Sequence, residues 1–400
     1  MSEKSVYWIW LQQALKYNNL KIKYIMNLYK DIEQFYILGE NEWRLLGIFT
    51  NKDIENLKAT RLEKSKIILQ NCSRIGCEVV TIESEKYPYL LKQIEDPPAA
   101  LYVKGDISCA NNELVIAVVG TRKASDYGFE MAGKISKTLA ENNVVVVSGG
   151  ALGIDSAAHE NAVNSGGKTI CVLGCGLDFP YLVSKIDLKQ KIIQTGGAVI
   201  SEYPPGTPAT AWHFPARNRI ISGLSHGTVV VEAGRKSGSL ITANLANEQN
   251  RDVFVVAPRH EDFSLTGNVS LINDGAQAVE SGDEILKEYS SRPVISSDTT
   301  FSHRAASKKR YEFNLDYGNN RVSSNHPESK KIEAVKPDPR AENLSEDEQK
   351  VYEAISKGRL QVDSIVQKTG IPSYKILGAL TTLELLGIIK SLPGKYYEII

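Results

Sequence analysis

The chain has 400 residues, 42 % of them hydrophobic and 24 % charged. That length exceeds the roughly 250–300 residues at which a single core stops growing, so two to four units are expected. Lys plus Arg and Asp plus Glu each number 47, a formal net charge of zero, which excludes a polycationic protein and requires any surface for a polyanion to be local.

At the start of the chain, Glu3 beside Lys4 and the pair Gln12-Gln13 interrupt what a signal peptide would need. No later apolar run approaches the ~18 residues of a membrane span. A soluble, cytoplasmic protein without membrane association is expected. Trp8, Leu11 and Leu15, then Ile22, Ile25, Met26 and Tyr29, recur at three and four residues, the period of amphipathic helices. Residues 1–80 are therefore read as a helical domain with breaks at Gly39-Glu40-Asn41 and Thr50-Asn51. Leu46-Gly47-Ile48 before a helix start resembles a helix-hairpin-helix turn, whose amides can hold a DNA phosphate. An ordinary small helical bundle is the preferred reading of so short a motif.

Pro97-Pro98 forbids helix and favours an extended path into Leu101-Tyr102-Val103. From there to residue 288 apolar runs alternate with helical stretches. Strands are predicted at 115–119, 144–148, 168–173, 198–202, 228–232 and 252–256, continuous in their apolar character as parallel strands covered on both faces are. The 81–288 stretch is thus read as a doubly wound, mostly parallel α/β domain. The five cysteines form no CxxC pair and are odd in number, which reads as free thiols of a reducing compartment. Cys171 and Cys175, at a strand end, read as small buried apolar residues and not as metal ligands. Residues 289–343 lose all apolar periodicity and read as a flexible linker, mildly basic at Lys308-Lys309-Arg310 and Lys330-Lys331. In 344–400, Ser345 as an N-cap, three amphipathic stretches carrying Val351, Ile365, Leu380 and Leu383, and a Tyr-rich end predict a winged helix-turn-helix.

Three stretches of the α/β domain carry chemistry. Gly120-Thr121-Arg122-Lys123 ends one strand, and Ser148-Gly149-Gly150 ends the next. Neither a GxGxxG fingerprint nor a Walker A loop is present, so dinucleotide binding and ATP hydrolysis have no support. A glycine turn with basic residues at a helix start instead suits backbone phosphate. Phe214-Pro215-Ala216-Arg217-Asn218-Arg219 offers planar guanidinium groups and a stacking face; its arginines also have Glu202 and Glu232 as ion-pair candidates at neighbouring strand ends. Lys236-Ser237-Gly238-Ser239, with Thr242 one turn on, opens a helix as an anion nest. Asp155 and His159, four apart, form a possible base pair of groups, but a structural pair is preferred since no nucleophile or metal partner accompanies them. No metal and no cofactor are expected.

The ordered set YPYLLKQIEDPPAALYVKG, IAVVGTRKASDYG, VVSGGALGIDSAAH, ISEYPPG, FPARNRIISGLS and VVEAGRKSGSLITA resembles the DNA-processing protein A (DprA or Smf) family over nearly the whole chain. The resemblance implies a helical N-terminal domain of SAM or helix-hairpin-helix type, an extended Rossmann-like domain and a winged helix. It also implies sequence-independent binding of single-stranded DNA, protection of incoming DNA and loading of the RecA recombinase during natural transformation, and a homodimer, with no catalytic activity. The family's Gly-Ser-Arg motif maps onto Gly120-Thr121-Arg122, and its FPxRNR loop onto Phe214–Arg219. Two stretches depart from the family pattern: Asp178-Phe179-Pro180 leads into Tyr181-Leu182-Val183-Ser184, and Pro258-Arg259-His260 precedes a Gly267-Asn268 pair with its Asn one position early. Around that Asn, Leu271 is expected in the core while Val269 and Ile272 share an outward face, placing the dimer interface at Val269, Ile272 and Ala278. Two rival readings stay open: a phosphoribohydrolase-like nucleotide enzyme, whose PGGxGT loop is missing here, and a winged-helix transcription regulator with a nucleotide-sensing domain.

Overall fold

The structure is a computed structural model that describes residues 4–16, 20–180, 186–258 and 266–290, then 344, 346–356, 360–369 and shorter stretches between 371 and 399. The stretch read as a linker, from 291 onward, lies outside the described residues, as do Ser345, 181–185 and 259–265. The chain divides into two units, Met1–Asp316 and Tyr317–Ile400.

Five helices open the first unit: α1 (Ser5–Leu15), α2 (Lys21–Leu28), α3 (Ile32–Leu45), α4 (Asn51–Ala59) and α5 (Leu62–Arg74). They do not form a separate core. Trp8, Trp10, Leu11 and Phe35 belong to the same buried cluster as Val115, Val147 and Ile200 of the sheet. Gln12, expected only to interrupt an apolar run, is fully buried. Its amide nitrogen donates to the carbonyls of Ala100 and Glu202, and its oxygen accepts from Ala100 N. The boundary expected at residue 80 falls inside a strand, Glu78–Thr81. The helix-hairpin-helix reading meets an obstacle at α4. Thr50 and Asp53 form a capping box there, and Asp53 pairs with Lys21, so a side-chain carboxylate already occupies the helix start that a DNA phosphate would need.

Next come β1 (Glu78–Thr81), α6 (Tyr89–Gln93), β2 (Ala100–Gly105), α7 (Cys109–Asn112), β3 (Val115–Val119), α8 (Asp126–Glu141), β4 (Val145–Ser148), α9 (Ile154–Asn164), β5 (Thr169–Leu173) and α10 (Ile186–Gln194). They are followed by β6 (Ala198–Ser201), α11 (His213–Gly223), β7 (Gly227–Val230), α12 (Gly238–Glu248), β8 (Asp252–Val256), α13 (Thr266–Asn273), β9 (Gln277–Val279) and α14 (Gly282–Ser290). All six predicted strands are present within a residue or two of the expected bounds. The sheet order is β1-β2-β6-β5-β4-β3-β7-β8-β9. The seven strands from β6 to β9 pair in parallel, and β2 joins β6 antiparallel, with Tyr102 opposite Ser201. Both faces are covered, as the continuous apolar runs required. Val115, Ala117 and Val119 face the cluster shared with the N-terminal helices, while Ile116 and Val118 face the one containing Ile135, Ile154 and Ile285.

The chain runs outward from β3 through β4, β5 and β6, then returns to the other side of β3 with β7. The loops leaving the carboxyl ends of β3 and β7 therefore diverge, and the gap between them is where open α/β sheets receive ligands.

The second unit contains α15 (Glu346–Ile355), β10 (Leu360–Gln361), α16 (Val362–Thr369), helical residues at 376, 379–380 and 382–384, β11 (Ile389–Leu392) and β12 (Tyr396–Ile399). β12 lies antiparallel between β10 and β11, with Ile389 opposite Ile399. Val351, Ile365, Ile376, Leu380, Leu383 and Ile389 form its core. This is the expected helical trio with a wing.

Candidate nucleic-acid interface

The gap at the switch point is a crevice of about 380 Å³ lined by Gly120, Thr121 and Arg122 after β3, Ala151 and Asp155 after β4, Phe214, Pro215, Arg217 and Asn218 on α11, and Ser237, Gly238, Ser239 and Thr242 at the start of α12. Most of the residues singled out in the sequence thus meet in one place, although they come from four separate segments.

Arg122 is the exposed cation of this set. Its guanidinium lies 5.4 Å from the centre of the half-buried Phe214 ring, within reach of the cation–π attraction that pre-orients it at the crevice mouth. Lys123 and Lys236 are exposed but belong to the rim, outside the lining set. On α12, Ser237 caps the helix by accepting from Ser239 N, and its hydroxyl shares a hydrogen bond with that of Ser239. The start of α12 carries no acidic residue, so its partial positive charge faces the crevice without a side-chain anion of its own first turn. The start of α8 differs. Glu232 accepts from both the amide and the hydroxyl of Ser125, the residue that caps α8. The helix after β3, expected to take a phosphate, is occupied by this carboxylate.

The two arginines of the FPARNR stretch are not equivalent. Arg219 is 2 % exposed, and its guanidinium makes a two-pronged pair with Glu202 at 2.8 and 2.6 Å and a further bridge to Asp96 at 2.9 Å. Burial works against its charge, but Glu202 and Asp96 outweigh it and hold the group protonated. Arg219 thus points from α11 toward the end of β6 and stands outside the lining of the crevice. Arg217 is also buried and forms the crevice floor, its guanidinium donating to the carbonyls of Gly149 and Val172 and passing 5.9 Å from the Phe214 ring centre. A side-chain carbon at Gly149 would collide with that guanidinium, so this glycine serves close packing and not ligand approach. Ser148 is likewise corrected. It is fully buried and its hydroxyl donates to Val118 O at 2.6 Å. Gly149 and Gly150, like Ser148, lie outside the lining of the crevice.

Asp155 and His159 take separate partners. Asp155 accepts from Ala151 N, and burial pushes its carboxyl up despite the nearby Arg217. His159 is fully buried with Nδ1 2.7 Å from Thr169 Oγ1. Thr169 spends its own proton on Val146 O, so Nδ1 must be the donor, and burial lowers the imidazole to about 3. A group so placed has no path to a substrate proton, and the structural reading of this pair holds.

One residue escaped the sequence reading. Trp212, immediately before α11, is 62 % exposed and sits edge-on to His213, which stacks on Tyr203 and hydrogen-bonds Gly174 O. A large aromatic side chain exposed two residues from Phe214 is the signal that was available. At the other end of the domain, Asn268 is fully buried, accepting from Ala233 N and donating to Val231 O and Val256 O. It joins the ends of β7 and β8 to α13. Leu271 is in the core, Val269 is 43 % exposed, Ile272 is half-buried and Ala278 is exposed.

A doubly wound Rossmann-like domain with a crevice of amides, hydroxyls and one exposed arginine in place of a nucleotide fingerprint, followed in sequence by a winged-helix unit, defines the class. The family model for DNA recombination-mediator protein A matches residues 78–290, and that for the DprA winged helix domain matches 335–395. Protein Smf of Synechocystis sp. is 32 % identical over 382 residues, 93 % of this chain and 94 % of that one. The DNA processing protein DprA of Bacillus subtilis is 40 % identical over 219 residues, 55 % of this chain and 73 % of its own. The crystal structure of DprA from Streptococcus pneumoniae superposes with a TM-score of 0.60 at 33 % identity, covering 72 % of this chain and 99 % of that one. The chain belongs to the DprA/Smf family of DNA-processing proteins.

Proposed function

We propose that the chain binds single-stranded DNA without sequence preference, with the sugar–phosphate backbone running over the switch-point crevice. The observation that carries this reading is Arg122, exposed, set over Phe214, and sharing a crevice lined by hydroxyls with the start of α12, whose first turn carries no acidic residue. Arginine and backbone amides take phosphates regardless of base, and Phe214 and Trp212 offer stacking faces that every base can use. Family membership supports the rest of the reading: a homodimer that shields incoming strands in the cytoplasm and loads the RecA recombinase onto them during natural transformation, without turnover of its own. Long oligonucleotides should bind, AMP and ATP should compete poorly, and all should be recovered intact. Tight binding of a mononucleotide, or release of ribose 5-phosphate from AMP dependent on Glu232, would replace this reading with the phosphoribohydrolase one.

A further inference from the structure

The corner where α5 gives way to β1 uses none of the groups described so far, and it holds two cysteines. Cys77 N donates to Cys72 O at 2.8 Å and Gly76 N donates to Ser73 O at 3.2 Å, with Gly76 at φ 65°. This is the paired 6→1 and 5→2 pattern that ends many helices, and it brings the side chains of its first and sixth residues together. Those positions usually carry an apolar contact; here both are thiols. The Cys77 thiol donates to Glu78 O at 3.3 Å, and the ionisation of the two neighbouring thiols is linked. Both cysteines are free and buried in one cluster. Cys77 nevertheless lines, with Ser73 and Gly76, a surface crevice of about 750 Å³ along β1, the outer strand of the sheet.

The other three thiols are held inert. Burial pushes Cys109 and Cys171 up to about 12 and Cys175 to about 11. Cys77 is the exception: the hydrogen bond from Cys72 lowers its pKa against the effect of burial, and Lys104 adds to this. Thiolate character with a neighbouring resolving thiol is what makes a cysteine responsive to peroxide.

We propose that Cys72 and Cys77 are a peroxide-responsive dithiol, with Cys77 the attacking sulfur and Cys72 the resolving one, closing a disulfide across the α5–β1 corner. The Cys77 thiolate attacks one oxygen of hydrogen peroxide; the S–O bond forms, the O–O bond breaks, and the departing hydroxide takes up a proton as water. The Cys72 sulfur then attacks the Cys77 sulfenic acid; the S–S bond forms, the S–O bond breaks, and hydroxide leaves with the Cys72 proton as a second water. Two thiols lose two electrons in all, and peroxide is reduced to two waters.

The sequence provides a direct readout, because Arg74 lies between the two cysteines. The reduced full chain is treated with hydrogen peroxide under native conditions, blocked with N-ethylmaleimide and digested with trypsin without reductant. Peptide 67–74 should be recovered joined to peptide 75–86, and dithiothreitol should separate them. Cys72→Ser should abolish the linkage and leave Cys77 over-oxidised, whereas Cys77→Ser should leave Cys72 unmodified at the same dose. The same peroxide dose given to wild-type chain unfolded in urea should link the peptides more slowly, since the fold builds the pair. Linkage through Cys109, Cys171 or Cys175, no linkage in the native chain, or linkage as fast in urea as in buffer would overturn the proposal.

Discussion

At the scale of single residues, three arginines of similar appearance in the sequence have three different physical situations. Arg122 is in water, Arg217 is spent on carbonyls in the floor, and Arg219 is sealed between Glu202 and Asp96. Nothing in residue type distinguishes them. What was legible was the candidate partner, since Glu202 stands at a strand end near α11; what was not legible was which way each position of α11 faces. Removing one member of a buried ion pair leaves the other charge unpaired, at a cost of about 3–5 kcal/mol. Arg219→Ala should therefore lower the melting temperature of the first unit steeply, read by calorimetry, whereas Arg122→Ala should leave it unchanged. The buried histidines give a second prediction. His159 is lowered to about 3 and His226, which accepts from Val115 N, to about 4, both chiefly by burial. Each unfolded imidazole binds its proton near pH 6.5, so the unfolded state holds more protons below that pH. Stability is then full above pH 6.5 and falls as pH drops toward 4, by up to about 1.4 kcal/mol per pH unit for each histidine. Urea midpoints measured between pH 7.5 and 4.5 should show this, and His226→Gln should flatten the slope. A slope unchanged in that variant would contradict the assignment for His226.

At the scale of elements, the strands were legible because a strand covered on both faces needs an unbroken β-branched run, and few other environments select one. β1 and β9 were missed for the converse reason: they are short edge strands, Glu-Val-Val-Thr and Gln-Ala-Val, with too few residues to show a pattern. α1 illustrates a different limit. Its periodicity announced a helix, but nine of its eleven residues are buried, because it packs on other helices and on the sheet at once. Gln12 is the hinge of that double contact, holding β2 and the end of β6 through three hydrogen bonds. Gln12→Leu should fit sterically yet strand buried backbone groups, each worth about 1–3 kcal/mol. The expected outcome is a loss of several kcal/mol by denaturant titration, together with faster amide exchange at Ala100. A fall of less than about 0.5 kcal/mol, the scatter of ordinary surface substitutions, would mean that the helices are only loosely attached.

At the scale of the whole molecule, α13 and β9 carry an exposed Val269, a half-buried Ile272 and an exposed Ala278 around a buried Asn268. The homodimer proposed above, closing through these residues, would bring two crevices onto one strand, adding avidity without new contacts. Ile272→Glu should yield a monomer by light scattering that binds long oligonucleotides less tightly than short ones are affected; a dimer of unchanged affinity would place the interface elsewhere. The central claim, that a single strand is held at the switch-point crevice, is tested most directly by the salt dependence of binding in wild type and Arg122→Ala. Each phosphate neutralised on a single strand contributes about −0.7 to the log–log slope. With Arg122, Lys123, Arg235 and Lys236 exposed at the crevice and its rim, the wild-type slope should lie between about −2 and −3, and Arg122→Ala should reduce it by about 0.7 while weakening all sequences alike. An Arg122→Ala protein with the wild-type slope and affinity would contradict the account.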